Sequence, residues 1–315
     1  MNPQHAVLGQ VARSETEAAE ELAQHLSPAT VIRRDEPLAR HTTLRVGGPA
    51  DVYVEPASEE DLASALAYFH RRSWQCFVLG RGSNLVVRDG GFRGAVICLA
   101  HAHFSRIEVK GSLLRCGAGA RLKAVAVEAK RHSLAGLEFL EGIPGSVGGA
   151  LRMNAGAMGR AMLDVVECVR LMSFDGKGHE RPARELVRGY RSCPTLKGHV
   201  ALVAVLRGQP GSRKAIEQQM NHYSRQRWQS QPSLPSAGCI FKNPASIPAG
   251  RLIDELGLKG TRVGGAVVSA EHGNFIVNDS KATARDVLEL IEIVRQRVRA
   301  ARGIELETEV EVVGE

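Results

Sequence analysis

Residues 134–160 read LAGLEFLEGIPGSVGGALRMNAGAMGR, the densest glycine zone of the chain. Gly142, Gly145, Gly148 and Gly149 punctuate it, and Asn154-Ala155-Gly156 follows closely. Backbone without Cβ atoms can approach a flat ligand or a pyrophosphate closely. An earlier loop, Gly80-Arg81-Gly82-Ser83-Asn84, follows the apolar run QCFVLG. Its successive N–H groups, with the Ser83 and Asn84 side chains, could form a concave anion nest. Either loop alone reads as readily as a tight turn; the pair favours a ligand site. A Rossmann fingerprint is excluded, because its third glycine would fall at position 85, which is Leu, and LVV continues as strand. No GK[ST] makes a P-loop.

Outward from these loops, strand and helix signals mix without regular alternation. A helix is expected over 15–27, with Leu22 and Leu26 on one face. Ser58 and Asp61 resemble a capping box ahead of Leu62, Leu66 and Phe69. Strand-like pieces include VYV, QCFVLG, LVV, GAVICL, RIEV and LLRCG, followed by a helix near 121–132. VVECVRLMS and the turn DGKG predict a hairpin, a short helix is expected near 182–189, and VALVAVL reads as a buried strand. Helices are expected at 212–228, 249–256 and 283–302, a strand at NFIVN and a last strand at 305–313. Val287, Leu290, Ile291, Val294 and Val298 form one apolar stripe, which core packing explains. The fold class is α+β in two lobes, with a break near 208–212.

Over 315 residues, 43% hydrophobic and 24% charged content is that of an ordinary folded protein. No apolar run approaches the roughly 20 residues a membrane helix needs, and the N-terminus lacks a signal's apolar core. The expected location is cytoplasmic. Lys and Arg exceed Asp and Glu by 41 − 34 = 7, without a basic block. With aromatics at 4%, this favours a small anionic substrate over nucleic acid. Of six cysteines, no two stand within four positions, so no CxxC metal or redox motif exists. Five read as buried small hydrophobes.

Cys239 lies in PSAGCIFKNP, among small residues, where a thiol could face a cleft and give a proton or attack. Another buried cysteine is the plainer alternative, and a nucleophile would need a base such as His272. Arg191, in the polar turn GYRSCP, suits a carboxylate, although a lone Arg is more often a surface charge. Strict alternation in LETEVEVV would put Glu307, Glu309 and Glu311 on one solvated face. His41 and His272 have no HxH or HExxH partner, no GxSxG elbow exists, and no metal site is expected.

Eight motifs occur in order: HTTLRVGGPADVYVEP, GRGSNLVV, LEFLEGIPGSVGGALRMNAGAMG, GYRSC, PSAGCIFKNP, AGRLIDELGLKG, VGGAVVSAEHGNFIVN and LETEV. Together, from about 30 to 313, they resemble the UDP-N-acetylenolpyruvoylglucosamine reductase family, flavoenzymes of bacterial peptidoglycan precursor synthesis. The resemblance implies a two-part FAD-binding region of the vanillyl-alcohol-oxidase type, then a smaller α+β substrate-binding domain. The expected boundaries are 1–28 for an N-terminal helical segment, 29–208 for the FAD-binding domain and 209–315 for the substrate domain. FAD would be held noncovalently by Gly80, Arg81, Gly82, Ser83, Asn84 and Leu85, and by Gly142, Ile143, Pro144, Gly145, Ser146, Gly148, Gly149, Asn154 and Gly156. NADPH is the implied co-substrate, and a UDP-sugar enolpyruvyl ether the substrate.

The implied catalytic residues are Arg191, Cys239 and Glu309. Flavin N5 would deliver hydride, Cys239 the proton, and Arg191 with Glu309 would steady the developing charge. Many relatives carry Ser at the Cys239 position, and Glu311 departs from a frequent Arg. Tyr190, Arg225, Gln231, Lys242 and Asn243 would bind substrate. The chain is expected to act as a monomer with no nucleic-acid or membrane partner. A flavin oxidase of the same fold, a cysteine-dependent transferase or hydrolase, and a nonenzymatic anion-binding protein are the rival readings.

Overall fold

The computed structural model describes residues 17–315. The chain divides into two compact units. The first comprises Ala50–Gly80, Arg93–Asn221 and the described part of Met1–Glu36; the second comprises Pro37–Pro49, Arg81–Phe92 and His222–Glu315.

In the first unit, residues 17–25 are helical, and Leu22 and Leu26 are buried as their spacing predicts. The start of that expected helix lies outside the described residues. The helix Glu59–Arg71 begins where the Ser58 hydroxyl accepts the Asp61 N–H at 3.1 Å. The Asp61 carboxylate turns away from the cap and accepts from the Ser27 N–H and the Thr30 hydroxyl, each at 2.9 Å. The cap thus also ties the helix to the segment before it, while Leu62, Leu66 and Phe69 enter the core.

A four-stranded sheet runs in the order Val31–Pro37, Pro49–Glu55, Phe92–Cys98, Cys76–Leu79. Pro49–Glu55 is buried along its middle five residues, as a strand covered on both faces must be. A five-stranded antiparallel sheet runs Gly178–Pro182, Val166–Ser173, His199–Arg207, Leu113–Gly117, Ile107–Lys110. DGKG closes its first hairpin as expected. The short helix expected near 182–189 is only the single turn Ala183–Glu185, because Leu186 returns to extended backbone.

The second unit is organised by one apolar cluster in which Leu44, Val46 and Val86 pack with residues between Ala237 and Val310. Its antiparallel sheet has the order Ser236–Cys239, Phe275–Asn278, Ala266–Val268, Arg262–Val263. The helix Ala284–Arg302 buries the whole expected stripe, Val287 through Val298. Its N-terminus is capped twice. Thr283 and Asp286 form a capping box, and the Asp89 carboxylate accepts the Ala284 and Arg285 N–H groups at 2.8 and 2.9 Å.

A single break near 208–212 does not describe these units. Val86 and Asp89 hold Arg81–Phe92 to the C-terminal core, and Leu85–Val87 pairs in parallel with Glu311–Val313. That last strand begins at Glu311 rather than 305. Residues 307–309 instead contact 240–242 through separate backbone bonds and one bridge, Phe241 to Thr308. The helix Arg213–Ser230 carries the chain from the first unit to the second. It buries only Ile216 and Met220 and leaves Trp228 71% exposed.

Removing a carboxylate that caps two helix N–H groups costs about 1–2 kcal/mol. Asp89→Ala should therefore lower the urea midpoint; an unchanged midpoint would show that Thr283 and Asp286 suffice. Burial of the His272 imidazole pushes its pKa below the ordinary 6.5, and its Nδ1 accepts the Asn274 N–H at 3.1 Å. The neutral ring is thus favoured in the fold, and its contribution is present above about pH 6.5 and lost as pH falls through the lowered value. The stability gap between the native chain and His272→Asn should narrow from pH 8 to pH 5.5, and a widening gap would contradict this.

Candidate active site

The glycine loop of the first unit follows the single turn Glu138–Gly142 and leads into the six-residue helix Val147–Arg152. Ser146 accepts the Gly149 N–H at 3.4 Å, Val147 donates to Ala120 O at 2.9 Å and Gly148 to Ala118 O at 2.8 Å. These N–H groups therefore fix the loop itself. What the loop offers a ligand is bare backbone. A Cβ on Gly142 would meet nothing within 4 Å, and one on Gly80 would stand 3.1 Å from Ser146 Oγ and 4.0 Å from Gly149 Cα. The first unit thus brings Gly80 and the second glycine loop together. Open backbone at Gly142, and Gly80 beside the Ser146 hydroxyl, fit the close backbone approach that a dinucleotide cofactor requires.

The rest of the first loop, Arg81 to Leu85, belongs to the second unit. Gly82 is buried at φ +60, where a Cβ would lie 2.3 Å from His41 O, so the turn accepts no side chain. Asn84 does not serve a nest formed by this loop alone. Its Nδ2 donates to Glu309 O at 3.0 Å, and its carbonyl accepts the Glu311 N–H at 3.1 Å.

Arg191 sits at the tip of a two-residue turn in the first unit. Gly189 and Ser192 exchange both backbone bonds, at 2.9 and 3.3 Å. Arg191 takes φ +52, a left-handed conformation uncommon outside glycine, asparagine and aspartate. Its guanidinium lies 5.3 Å from the Tyr190 ring centroid, and a Cβ on Gly156 would come within 3.0 Å of its Nη1. Asn154 reaches the same turn, with Nδ2 donating to Gly189 O at 3.2 Å.

Cys239 and Glu309 both lie in the second unit, half-buried. Cys239 ends the strand Ser236–Cys239 opposite Phe275, and the next residue, Ile240, accepts the Glu309 N–H at 2.7 Å. The two candidate side chains therefore stand on backbone segments joined at Ile240. Asn274, buried, locks the same stretch by accepting the Phe241 N–H at 2.9 Å and donating to Phe241 O at 2.8 Å. Thr43 Oγ1 lies 2.6 Å from Ser236 O. Neither Asn274 nor Thr43 stood out in the sequence as a site residue, although each lies inside a quoted motif. Glu307, Glu309 and Glu311 do not share one solvated strand face, since no continuous strand connects them. Glu307 is exposed and paired with Lys242 at 2.9 Å, while Glu309 is half-buried.

Of the remaining substrate candidates, Tyr190 and Arg225 are exposed. Gln231 Oε1 accepts from Arg227 Nε at 3.1 Å, and Asn243 Oδ1 accepts the Ala249 N–H at 3.0 Å, leaving the Asn243 carbonyl oxygen already engaged. Cys98, Cys116 and Cys193 are buried as expected, while Cys76 and Cys168 are half-buried. Burial pushes the Cys76 and Cys116 thiols up to about 12, so both stay protonated and inert at neutral pH. Among the described residues no cluster of three His, Cys, Asp or Glu could hold a metal. Among them, no helix is long and apolar enough to cross a membrane.

Comparison with known proteins adds an independent finding. A family model described as "FAD binding domain" matches residues 50–180, spanning the Gly142–Gly149 loop. One described as "UDP-N-acetylenolpyruvoylglucosamine reductase, C-terminal domain" matches residues 230–313. The expected α+β arrangement, an FAD-binding region followed by a smaller domain, agrees with both. The chain is 45% identical over 283 residues to the UDP-N-acetylenolpyruvoylglucosamine reductase of Pelobacter propionicus, covering 89% of this chain and 95% of that protein. It is also 45% identical to UDP-N-acetylenolpyruvoylglucosamine reductase 2 of Symbiobacterium thermophilum, covering 94% and 96%. The crystal structure of the Thermus caldophilus reductase aligns with a TM-score of 0.78 at 41% identity, covering 90% of this chain and 99% of that one. Sequence kinship and a shared fold along nearly the whole length leave one conclusion: the chain belongs to the UDP-N-acetylenolpyruvoylglucosamine reductase family.

Proposed function

We propose that this chain reduces the enolpyruvyl ether of UDP-N-acetylglucosamine-enolpyruvate to UDP-N-acetylmuramate, a peptidoglycan precursor, with NADPH as reductant. The observation that carries this reading is the 45% identity to a named reductase along 89% of the chain. The FAD-binding-domain match and the bare backbone at Gly80 and Gly142 support FAD as the noncovalent cofactor. Residues 29–208 are assigned chiefly to the cofactor and 209–315 chiefly to the substrate, with Pro37–Pro49 and Arg81–Phe92 packed into the C-terminal core. The same reading has the protein act as a cytoplasmic monomer on diffusible small molecules, without nucleic-acid or membrane partners.

Two hydrogens must be added across the substrate double bond, a hydride at the terminal methylene carbon and a proton at the carbon bearing the ether oxygen. FAD, when bound, supplies hydride chemistry that no side chain can. The chain's residues supply charge, orientation and the proton. As the methylene carbon gains its hydride, negative charge spreads into the substrate carboxylate. Arg191, permanently charged and shaped to grip a carboxylate at two points, is assigned to that charge. The bonded turn holds its backbone in place, and preorganisation of the charge is what makes electrostatic stabilisation effective. Cys239 is assigned as proton donor to the ether carbon, leaving a thiolate that solvent reprotonates. Glu309, on the segment bonded to Ile240, is assigned to help steady the same developing charge. Tyr190, Arg225, Gln231, Lys242 and Asn243 are assigned to the nucleotide part.

The purified protein should be yellow and should release a flavin on heating; a colourless chain that FAD cannot reconstitute would end this reading. Loss of a positioned general acid typically lowers rate ~10²–10⁴-fold. Cys239→Ala should leave NADPH-driven bleaching of the flavin absorbance intact and slow reduction of the enolpyruvyl substrate by that order, with Cys239→Ser recovering much of it. Equal survival of both half-reactions would remove Cys239 from the proton-donor role.

A further inference from the structure

Asn154 reads from sequence as a contact to the cofactor, and in the structure its side chain bonds two neighbouring segments of the first unit. The helix Val147–Arg152 ends with Asn154 in the left-handed region, φ +39. The Asn154 N–H donates to Leu151 O at 3.1 Å and the Ala155 N–H to Ala150 O at 2.8 Å, the two bonds of a Schellman ending. From that fixed backbone the carboxamide spans two further segments. Its Nδ2 donates to Gly189 O at 3.2 Å, and its Oδ1 accepts the Leu163 N–H at 3.0 Å.

Gly189 O is the carbonyl that also accepts the Ser192 N–H and so closes the turn carrying Arg191. Arg152 O accepts the Cys193 N–H at 2.9 Å, fastening the far side of the turn to the end of the same helix. A left-handed arginine persists only where surrounding bonds over-determine the backbone. Here those bonds come from the C-terminal end of the helix that starts at Ser146, in the glycine loop.

We propose that Asn154 is a positioning residue for Arg191: its carboxamide holds the Gly189–Ser192 turn, and with it the guanidinium, in register with the Gly142–Gly149 loop. This rests on the reading of Arg191 as the charge-stabilising group. A displacement of about 1 Å at such a group lowers turnover on the order of 10²-fold.

The choice of variant separates this role from a structural one. Asn154→Gly keeps the left-handed ending, which glycine adopts freely, and removes both side-chain bonds. Asn154→Asp keeps the acceptor for Leu163 and sets an oxygen against Gly189 O. In the full-length holoenzyme, both variants should reduce the enolpyruvyl substrate about 10²-fold more slowly at saturation. FAD affinity of the apoprotein, read by quenching of flavin fluorescence, and NADPH-driven bleaching should stay within about twofold of the native chain. Asn154→Gly added to Arg191→Ala should slow the reaction no further, because contributions acting through one group are not additive. A double variant slowed by the product of the single effects would overturn the proposal. So would FAD affinity falling in step with turnover, which would return Asn154 to the cofactor. If Arg191→Ala alone left substrate reduction intact, the assignment of Arg191 would fail first and the positioning role with it.

Discussion

The second unit depends on a short parallel pairing, Leu85–Val87 against Glu311–Val313. It joins two segments far apart in the chain, and the candidate residues Cys239 and Glu309 are bonded into the backbone beside it. Asn84, one residue before the pairing, donates to the carbonyl of Glu309, 225 positions away. Glu309 in turn donates to Ile240 O, next to Cys239. The entropy of closing such a long loop rises only slowly with length. It is offset by the apolar cluster that takes in Leu44, Val46 and Val86 together with the C-terminal helix. Packing brings the strands together, and hydrogen bonds then set the register within which the thiol and carboxylate are placed.

Local signals in the sequence were legible because local physics determined the outcome. The 3.6-residue stripe from Val287 to Val298, the Ser58 cap and the DGKG hairpin each express an interaction closed within a few residues. The sequence is opaque where a distant partner decides the outcome. The alternation in LETEVEVV suggests a strand from 305, but Leu85–Val87 offers a partner only for Glu311–Val313. The break expected near 208–212 missed that Pro37–Pro49 and Arg81–Phe92 contribute to a core built mainly from residues after 221. Candidate site residues were legible as types in motifs. Their partners were not, since nothing in the word NAG tells that Asn154 will reach Gly189 and Leu163.

The two units secure the candidate side chains in different ways. In the first, Arg191 stands on a two-residue turn whose backbone is unfavourable for its residue type, and bonds from the end of a neighbouring helix compensate. In the second, Cys239 ends a strand and Glu309 follows the bridge at Thr308, and the buried Asn274 substitutes a side-chain amide for a missing strand neighbour at Phe241. Both solutions use asparagine because its amide offers a donor and an acceptor at once, as a peptide group does.

The distribution of indoles in this chain has a spectroscopic consequence. There are two tryptophans. Trp74 is stacked on Phe69 with ring centroids 5.9 Å apart, whereas Trp228 stands in water on the final turns of the helix Arg213–Ser230. The molecule therefore carries one half-buried, ring-stacked chromophore and one hydrated one, in different compact units, and a water-soluble collisional quencher such as iodide reaches the second more readily than the first. Emission at the blue edge then reports on packing around the helix Glu59–Arg71, and the iodide-sensitive component on events near the segment leading to Cys239, with no label attached.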